Sequence, residues 1–178
     1  MQNTRGQRFM VTAGHCFENR QVVFTESLAR VYGTVSNRRT QGIDVELIGG
    51  RQYSGHIFTG GTDSSTVIPV RGAGRAYVGF GNYCTSGRTT GETCGHRATS
   101  LNGQICVDGE CLQGLIVFNN GRFRQPRAGD SGGPFYVKDR PGAYIRGHYV
   151  AGNAFTGYAV PWTAVASNLR VSIVRSLR

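Results

Sequence analysis

Apolar residues in this chain come in many short runs broken by glycine and small polar residues, a pattern of short strands and tight turns and not of long helices. Residues 7–11 read as a strand that delivers His15 at its end, and 21–24 and 29–35 read as further short strands. Residues 43–48 alternate apolar with polar and acidic side chains, the period of a half-buried strand, and this places Asp44 near the strand's entrance. Around residues 60–65 the composition turns to Gly, Thr, Asp and Ser, which suits a surface connection. The predicted boundary falls there, between an N-terminal unit (1–65) and a C-terminal unit (66–178). The second unit is expected to use strands near 66–70, 75–80, 104–107, 111–118, 134–137, 143–147 and 157–160. Pro161 then opens a short helix with Trp162, Val165 and Leu169 on one face. No internal repeat relates the two halves.

Composition narrows this reading. The chain has 178 residues, 39% hydrophobic, enough for one sizeable core or two small adjoining ones, and its 27 glycines favour an all-β protein. No apolar stretch approaches the roughly 18 residues of a membrane-spanning helix. The net charge of +10 comes from arginines and the single lysine Lys138 set against 10 acids. The arginines are scattered apart from Arg38-Arg39 and the group Arg122, Arg124 and Arg127. No nucleic-acid-binding motif accompanies them, so the charge reads as an ordinary basic surface with no specific nucleic-acid partner. Five cysteines suggest disulfides and an oxidising compartment. Cys106 and Cys111 flank Val107-Asp108-Gly109-Glu110, a spacing that closes a hairpin on an Asp-Gly turn.

The chemistry gathers on Arg127-Ala128-Gly129-Asp130-Ser131-Gly132-Gly133-Pro134. A serine hydroxyl is a poor nucleophile at neutral pH, so a reactive serine needs a base beside it and amide donors aimed at the oxygen that becomes negative. Flanking glycines let the backbone turn tightly and approach a substrate, exposing Ser131 Oγ and pointing the amides of Gly129 and Ser131 into one space. Upstream lie Thr12-Ala13-Gly14-His15-Cys16 and, between the two, Asp44 within Gly42-Ile43-Asp44-Val45-Glu46-Leu47-Ile48. Asp63 and Glu46 are the other acids in range, but Asp63 sits in turn-like surroundings and Asp44 is preferred. TAGHC, an Asp in an apolar strand and GDSGGP, in the chain order His, Asp, Ser, resemble the chymotrypsin-like serine proteases. Residues 84–95, with the form C-x-S-G-x-T-T-G...C-G, resemble the bacterial branch of alpha-lytic protease and the streptogrisins. The likeness runs from about residue 7 to the C-terminus and is loose outside these motifs.

The resemblance implies two six-stranded antiparallel β-barrels with a short C-terminal helix, the first barrel lacking its first elements. It also implies that the chain is a mature-domain fragment made with a signal and a pro-segment. It implies a secreted, monomeric endopeptidase acting on proteins or peptides with no metal or organic cofactor. Ser131 would be the nucleophile, His15 the general base, Asp44 its orienter, and the Gly129 and Ser131 amides the oxyanion hole. Cys84 would pair with Cys94, while Cys16 lacks the upstream partner the family supplies. Asp130 would be held by an arginine, with Arg88 the candidate. The specificity pocket would lie between residues 123–127 and 149–152, lined by Gln125, His148, Tyr149 and Gly152. Gln125 stands where trypsin-like enzymes carry an acid, so a preference for Lys or Arg is not implied. Val150 and Ala151 replace the family's Ser-Gly, which leaves open one hydrogen bond to Asp44. Two other readings stand beside this one, a non-catalytic homologue that binds a protein or anionic polymer, and an acyltransferase using the same acyl-enzyme.

Overall fold

The computed structural model describes residues 1–107, 110–120, 125–140 and 142–176. The predicted Asp108-Gly109 turn and Arg122, Phe123 and Arg124 lie outside the described residues. Strand β1 (Gln2–Asn3) pairs far along the chain with β14 (Val171–Ser172). The next four, β2 (Met10–Thr12), β3 (Val22–Phe24), β4 (Val31–Arg39) and β5 (Val45–Gly49), form an antiparallel sheet in the order β2-β5-β4-β3. All five residues of β5 are buried because it is covered on both faces. Val45 and Leu47 join the core under the C-terminal helix, with Leu115, Val160, Trp162 and Val165. Ile48 packs on the other side with Val23 and Val35. The residue before this strand, Asp44, is thereby held in a rigid, low-dielectric place.

The remaining strands are β6 (His56–Phe58), β7 (Val67–Ala73), β8 (Tyr83–Gly87), β9 (Gly91–Val107), β10 (Glu110–Asn119), β11 (Pro134–Asp139), β12 (Gly142–Gly152) and β13 (Gly157–Pro161). Because β11 pairs with both β8 and β12, the ladder β8-β9-β10-β13-β12-β11 returns to its own first strand, a ring of six. Aromatic rings fill it: Phe118 stacks on Phe135 with centroids 4.7 Å apart, and Phe135 meets Tyr83 at 4.7 Å. Strands β6 and β7 extend this sheet, β7 running parallel to β12. The parallel pair departs from a wholly antiparallel expectation, and β6 joins the second sheet although it precedes residue 65.

The helix α1 (Trp162–Leu169) follows Pro161 and buries Trp162, Val165 and Leu169, the face read from its spacing. It ends where Arg170 turns left-handed (φ 52°) and donates its amide to Ala166. Residues 75–80, expected as a strand, form none: the stretch ends in a turn at Val78-Gly79, with Gly79 at φ +86°, and Tyr77 and Val78 are exposed while Ala76 is buried. Apolar side chains alone suggested a strand there, but the glycine ended it. Conversely, β8 and the first half of β9 are a hairpin of Thr, Ser and Gly whose low hydrophobicity concealed it. Both disulfides are cross-strand, Cys84–Cys94 between β8 and β9 and Cys106–Cys111 between β9 and β10. Cys16 is free.

Candidate active site

Two segments of the first sheet bring His15 and Asp44 together: β2 ends three residues before His15, and its partner β5 begins just after Asp44. Asp44 Oδ1 accepts the His15 backbone amide at 2.9 Å, and Oδ2 lies 2.6 Å from His15 Nδ1. One carboxylate therefore fixes both the main chain and the ring of the histidine. Asp44 is buried while about half of the His15 side chain is exposed. The Asp44 hydrogen bond, and after it the neighbouring Cys16 thiol, hold the imidazolium form, raising the His15 pKa to about 10. The side chain of Asp63, the alternative acid, lies in an exposed turn.

The loop that carries Ser131 leads into β11. The Asp130 amide donates to Arg127 O, Gly133 to Asp130 O and Gly132 to Tyr149 O, but among the described residues the amides of Gly129 and Ser131 have no acceptor. Two alternate N–H groups are thus left open, an arrangement able to receive a negatively charged oxygen. Gly129 adopts φ +93°, and a Cβ there would collide with Thr89 Oγ1, so glycine is required for the turn. Gly132, at φ +84°, packs directly on Thr12 and Ala13 of the histidine segment and joins the two halves of the site. Ser131 Oγ contacts Val150 O at 3.4 Å, longer than an ordinary O–H···O bond, and no hydrogen bond joins it to His15 Nε2.

Asp130 is anchored differently from the sequence-based expectation. Its Oδ1 accepts the amides of Thr89 (2.7 Å) and Thr90 (3.1 Å), and its Oδ2 accepts Thr90 Oγ1 (2.9 Å) and the Arg127 amide (2.8 Å). Arg88, the expected partner, instead pairs with Glu26 on the surface. Four neutral donors from the β8–β9 turn and the loop's own start satisfy the carboxylate, so an arginine has nothing left to supply. Asp130→Ala is expected to lower stability by about 2–4 kcal/mol in thermal unfolding, because the buried carboxylate is lost and three part-buried amides and the Thr90 hydroxyl lose their acceptor. Arg88→Ala is expected to stay within about 0.5 kcal/mol of the parent, since its ion pair is exposed. Equal losses in the two variants would restore the arginine to the role of anchor.

Of the residues assigned to a specificity pocket, Gln125, Tyr149 and Gly152 gather beside the nucleophile loop. Gln125 Nε2 donates to Phe155 O at 3.4 Å, and the Tyr149 hydroxyl donates to Pro126 O at 3.2 Å. His148 is placed elsewhere. Its side chain points to the opposite face of β12, fully buried, with Nε2 2.8 Å from the Asp44 carbonyl. It therefore steadies the backbone of Asp44 and is removed from the pocket. Burial keeps it neutral by lowering its pKa. Val150, at the expected serine position, brings no hydroxyl, and the two carboxylate oxygens of Asp44 are bonded to His15 alone among the described residues.

Sequence reasoning missed Thr89 and Thr90 as the holders of Asp130, although both stand in the stretch that carried the resemblance. It named Glu46 only as an acid within range of His15 and did not anticipate its burial. This residue has no exposed surface, and neither carboxylate oxygen has a hydrogen-bond partner. Desolvation pushes its pKa up to about 7, partly opposed by Arg38, with Asp44, His15 and Glu18 as the other nearby charges. An acid whose folded pKa exceeds its unfolded value of 4.5 holds its proton in the folded state only, so stability falls as pH rises from 4.5 to about 7. Glu46→Gln is expected to remove that fall, measured as the difference in Tm between variant and parent across this window. A difference independent of pH would contradict it. The sole cluster of metal-ligand residue types among the described residues, Cys84, Glu92 and Cys94, has its sulfurs bonded to each other and Glu92 engaged by Lys138.

No family profile matches the chain, and no curated protein matches it. Solved structures do. Thermobifida fusca protease A superposes with a TM-score of 0.79 at 21% identity, over 98% of this chain and 88% of that one. A chymotrypsin from Cellulomonas bogoriensis gives 0.75 at 22% identity, over 93% and 85%. Nocardiopsis protease gives 0.77 at 21% identity, over 97% and 88%. These likenesses establish the fold: the chain has the chymotrypsin-like architecture of the bacterial proteases.

Proposed function

We propose that the chain is a secreted serine endopeptidase that hydrolyses peptide bonds through an acyl-enzyme on Ser131. The observation that carries this reading is the double hold of Asp44 on His15, set against a loop that leaves the Gly129 and Ser131 amides without acceptors. The shared fold with bacterial serine proteases supports it, and the two disulfides fit an oxidising, extracellular setting.

In this reading Ser131 Oγ attacks the peptide carbonyl carbon while its proton passes to His15 Nε2. The carbonyl electron pair moves onto oxygen, where the Gly129 and Ser131 amides stabilise it. As the tetrahedral species collapses, the C–N bond breaks and His15 returns the proton to the leaving amine. Water then repeats the steps on the ester and frees Ser131. Asp44 holds Nδ1–H throughout, so that Nε2 is the basic nitrogen, and stabilises the imidazolium.

The test is reaction of the folded chain with a fluorophosphonate, followed by peptide mapping. The expected result is one phosphonylated residue, Ser131, at a rate well above that of free serine. A folded chain that leaves Ser131 unmodified would replace this reading with that of a non-catalytic binding homologue.

A further inference from the structure

The role of the acyl-side pocket rests on the reading of Ser131 as an acylated nucleophile, because acylation fixes where the substrate's acyl-side residue must go. Its carbonyl oxygen faces the Gly129 and Ser131 amides, and its carbonyl carbon sits at Ser131 Oγ. Two stretches of chain flank that point. One is the run through Gln125 and Pro126 that leads into the loop, and the other is the end of β12, whose Val150 carbonyl lies 3.4 Å from Ser131 Oγ. The acyl-side side chain has to enter between them.

That space is occupied. Tyr149, only 4% exposed, projects from β12 beneath the nucleophile loop, and its hydroxyl donates to Pro126 O at 3.2 Å on one wall. On the other wall, a Cβ built on Gly152 would lie 3.0 Å from the same hydroxyl. The phenol therefore spans the gap from wall to wall. It has little freedom to leave. Its main chain is bonded twice to the nucleophile loop, Tyr149 N to Gly133 O and Gly132 N to Tyr149 O, each at 2.8 Å. Its ring stands edge-on to Phe118 at 6.4 Å. Burial raises the phenol's pKa to about 12, with the Asp130 charge adding to the effect, so it remains a neutral donor. Gln125, Pro126 and Gly152 likewise carry no charge.

We infer that Tyr149 is a specificity-determining residue that closes the acyl-side pocket, restricting cleavage to bonds that follow small, uncharged residues of glycine, alanine or serine size. A larger side chain would have to break the Tyr149–Pro126 bond and move a ring wedged against Phe118. A charged one would find no counter-ion on Gln125, Pro126, Tyr149 or Gly152.

The experiment uses the intact chain and three irreversible probes: a small alkyl fluorophosphonate, and peptidyl diphenyl phosphonates ending in the alanine or the phenylalanine analogue. The alanine phosphonate is expected to label at least about 10-fold faster than the phenylalanine one, the scale on which pocket size discriminates. In Tyr149→Ala the ratio is expected to invert. Tyr149→Phe, which keeps the ring, is expected to retain the order with a smaller margin. Fluorophosphonate labelling together with an equal or faster phenylalanine phosphonate in the parent protein overturns the inference, whether or not Tyr149→Ala folds. So does a folded, fluorophosphonate-reactive Tyr149→Ala with the parent ratio. Failure of all three probes, the fluorophosphonate included, overturns the proposed function and this inference with it.

Discussion

Replacing Ser131 with alanine is expected to lower peptide hydrolysis by about 10⁶-fold while leaving the fold intact. The structural part follows from how little the side chain holds. Its hydroxyl makes one long contact to Val150 O, whereas the loop is fixed by main-chain bonds at Asp130, Gly132 and Gly133 and by the Asp130 carboxylate. Thermal unfolding of the variant should match the parent within about 0.5 kcal/mol. On the proposed mechanism, the kinetic part follows from losing the atom that forms the acyl bond. Binding and the two loop amides still act on water attack, so a residue of catalysis of about 10³-fold over the uncatalysed reaction is expected to survive. The sharper test is the double variant with His15→Ala. If serine and histidine act as one unit, the double variant should be no slower than Ser131→Ala alone, because neither is useful without the other. Additive losses would mean that His15 contributes separately from Ser131.

How much of this was readable in advance depended on whether a feature was local. The strand after Asp44 and the apolar face of Trp162, Val165 and Leu169 are set by neighbours along the chain, and both elements lie close to their predicted places, but the strand read as half-buried is buried on both faces, Glu46 included. The hairpin of β8 and β9 was hidden because Thr, Ser, Gly and Cys make up most of it; a disulfide and cross-strand Thr85 and Thr93, whose hydroxyls meet at 2.9 Å, join its strands, and Tyr83 alone carries a large buried hydrophobic ring. Residues 75–80 erred the other way: their apolar content suggested burial, but burial depends on what packs opposite. At the site, His15, Asp44 and the loop were singled out because their motifs resemble those of a known family, and the structure brings His15 and Asp44 into contact. The holders of Asp130 could not be named, since backbone amides leave no signature in a sequence. His148 was misplaced by a single step in the two-residue strand period, which sends it behind Asp44 while Tyr149 turns to the nucleophile side.

Asp44→Asn is expected to reduce kcat/KM by about 10⁴-fold and to move its pH dependence toward acid. In the parent the carboxylate is bonded to Nδ1, so the proton resides there and Nε2 is free to accept the serine proton. An asparagine can turn its NH₂ toward Nδ1, which then accepts and leaves the proton on Nε2, the wrong tautomer for a base. The His15 amide still finds an oxygen in place of Oδ1, so the main chain is retained and the loss is chemical. The pH prediction has its own sign. Only neutral His15 can act as base, and its pKa is raised to about 10, first by the Asp44 hydrogen bond. Parent activity should therefore climb with pH across the neutral and alkaline range. Without the carboxylate the midpoint should fall toward the ordinary histidine value of 6.5. Stability moves in step. The raised pKa means that the protonated pair stabilises the fold fully below 6.5 and that this contribution disappears as pH rises through about 10. The variant should lack that loss. Fluorophosphonate labelling rates and Tm measured from pH 6 to 10.5 on both proteins test the two effects together, and an unchanged kinetic midpoint in Asp44→Asn would separate Asp44 from the titration of His15.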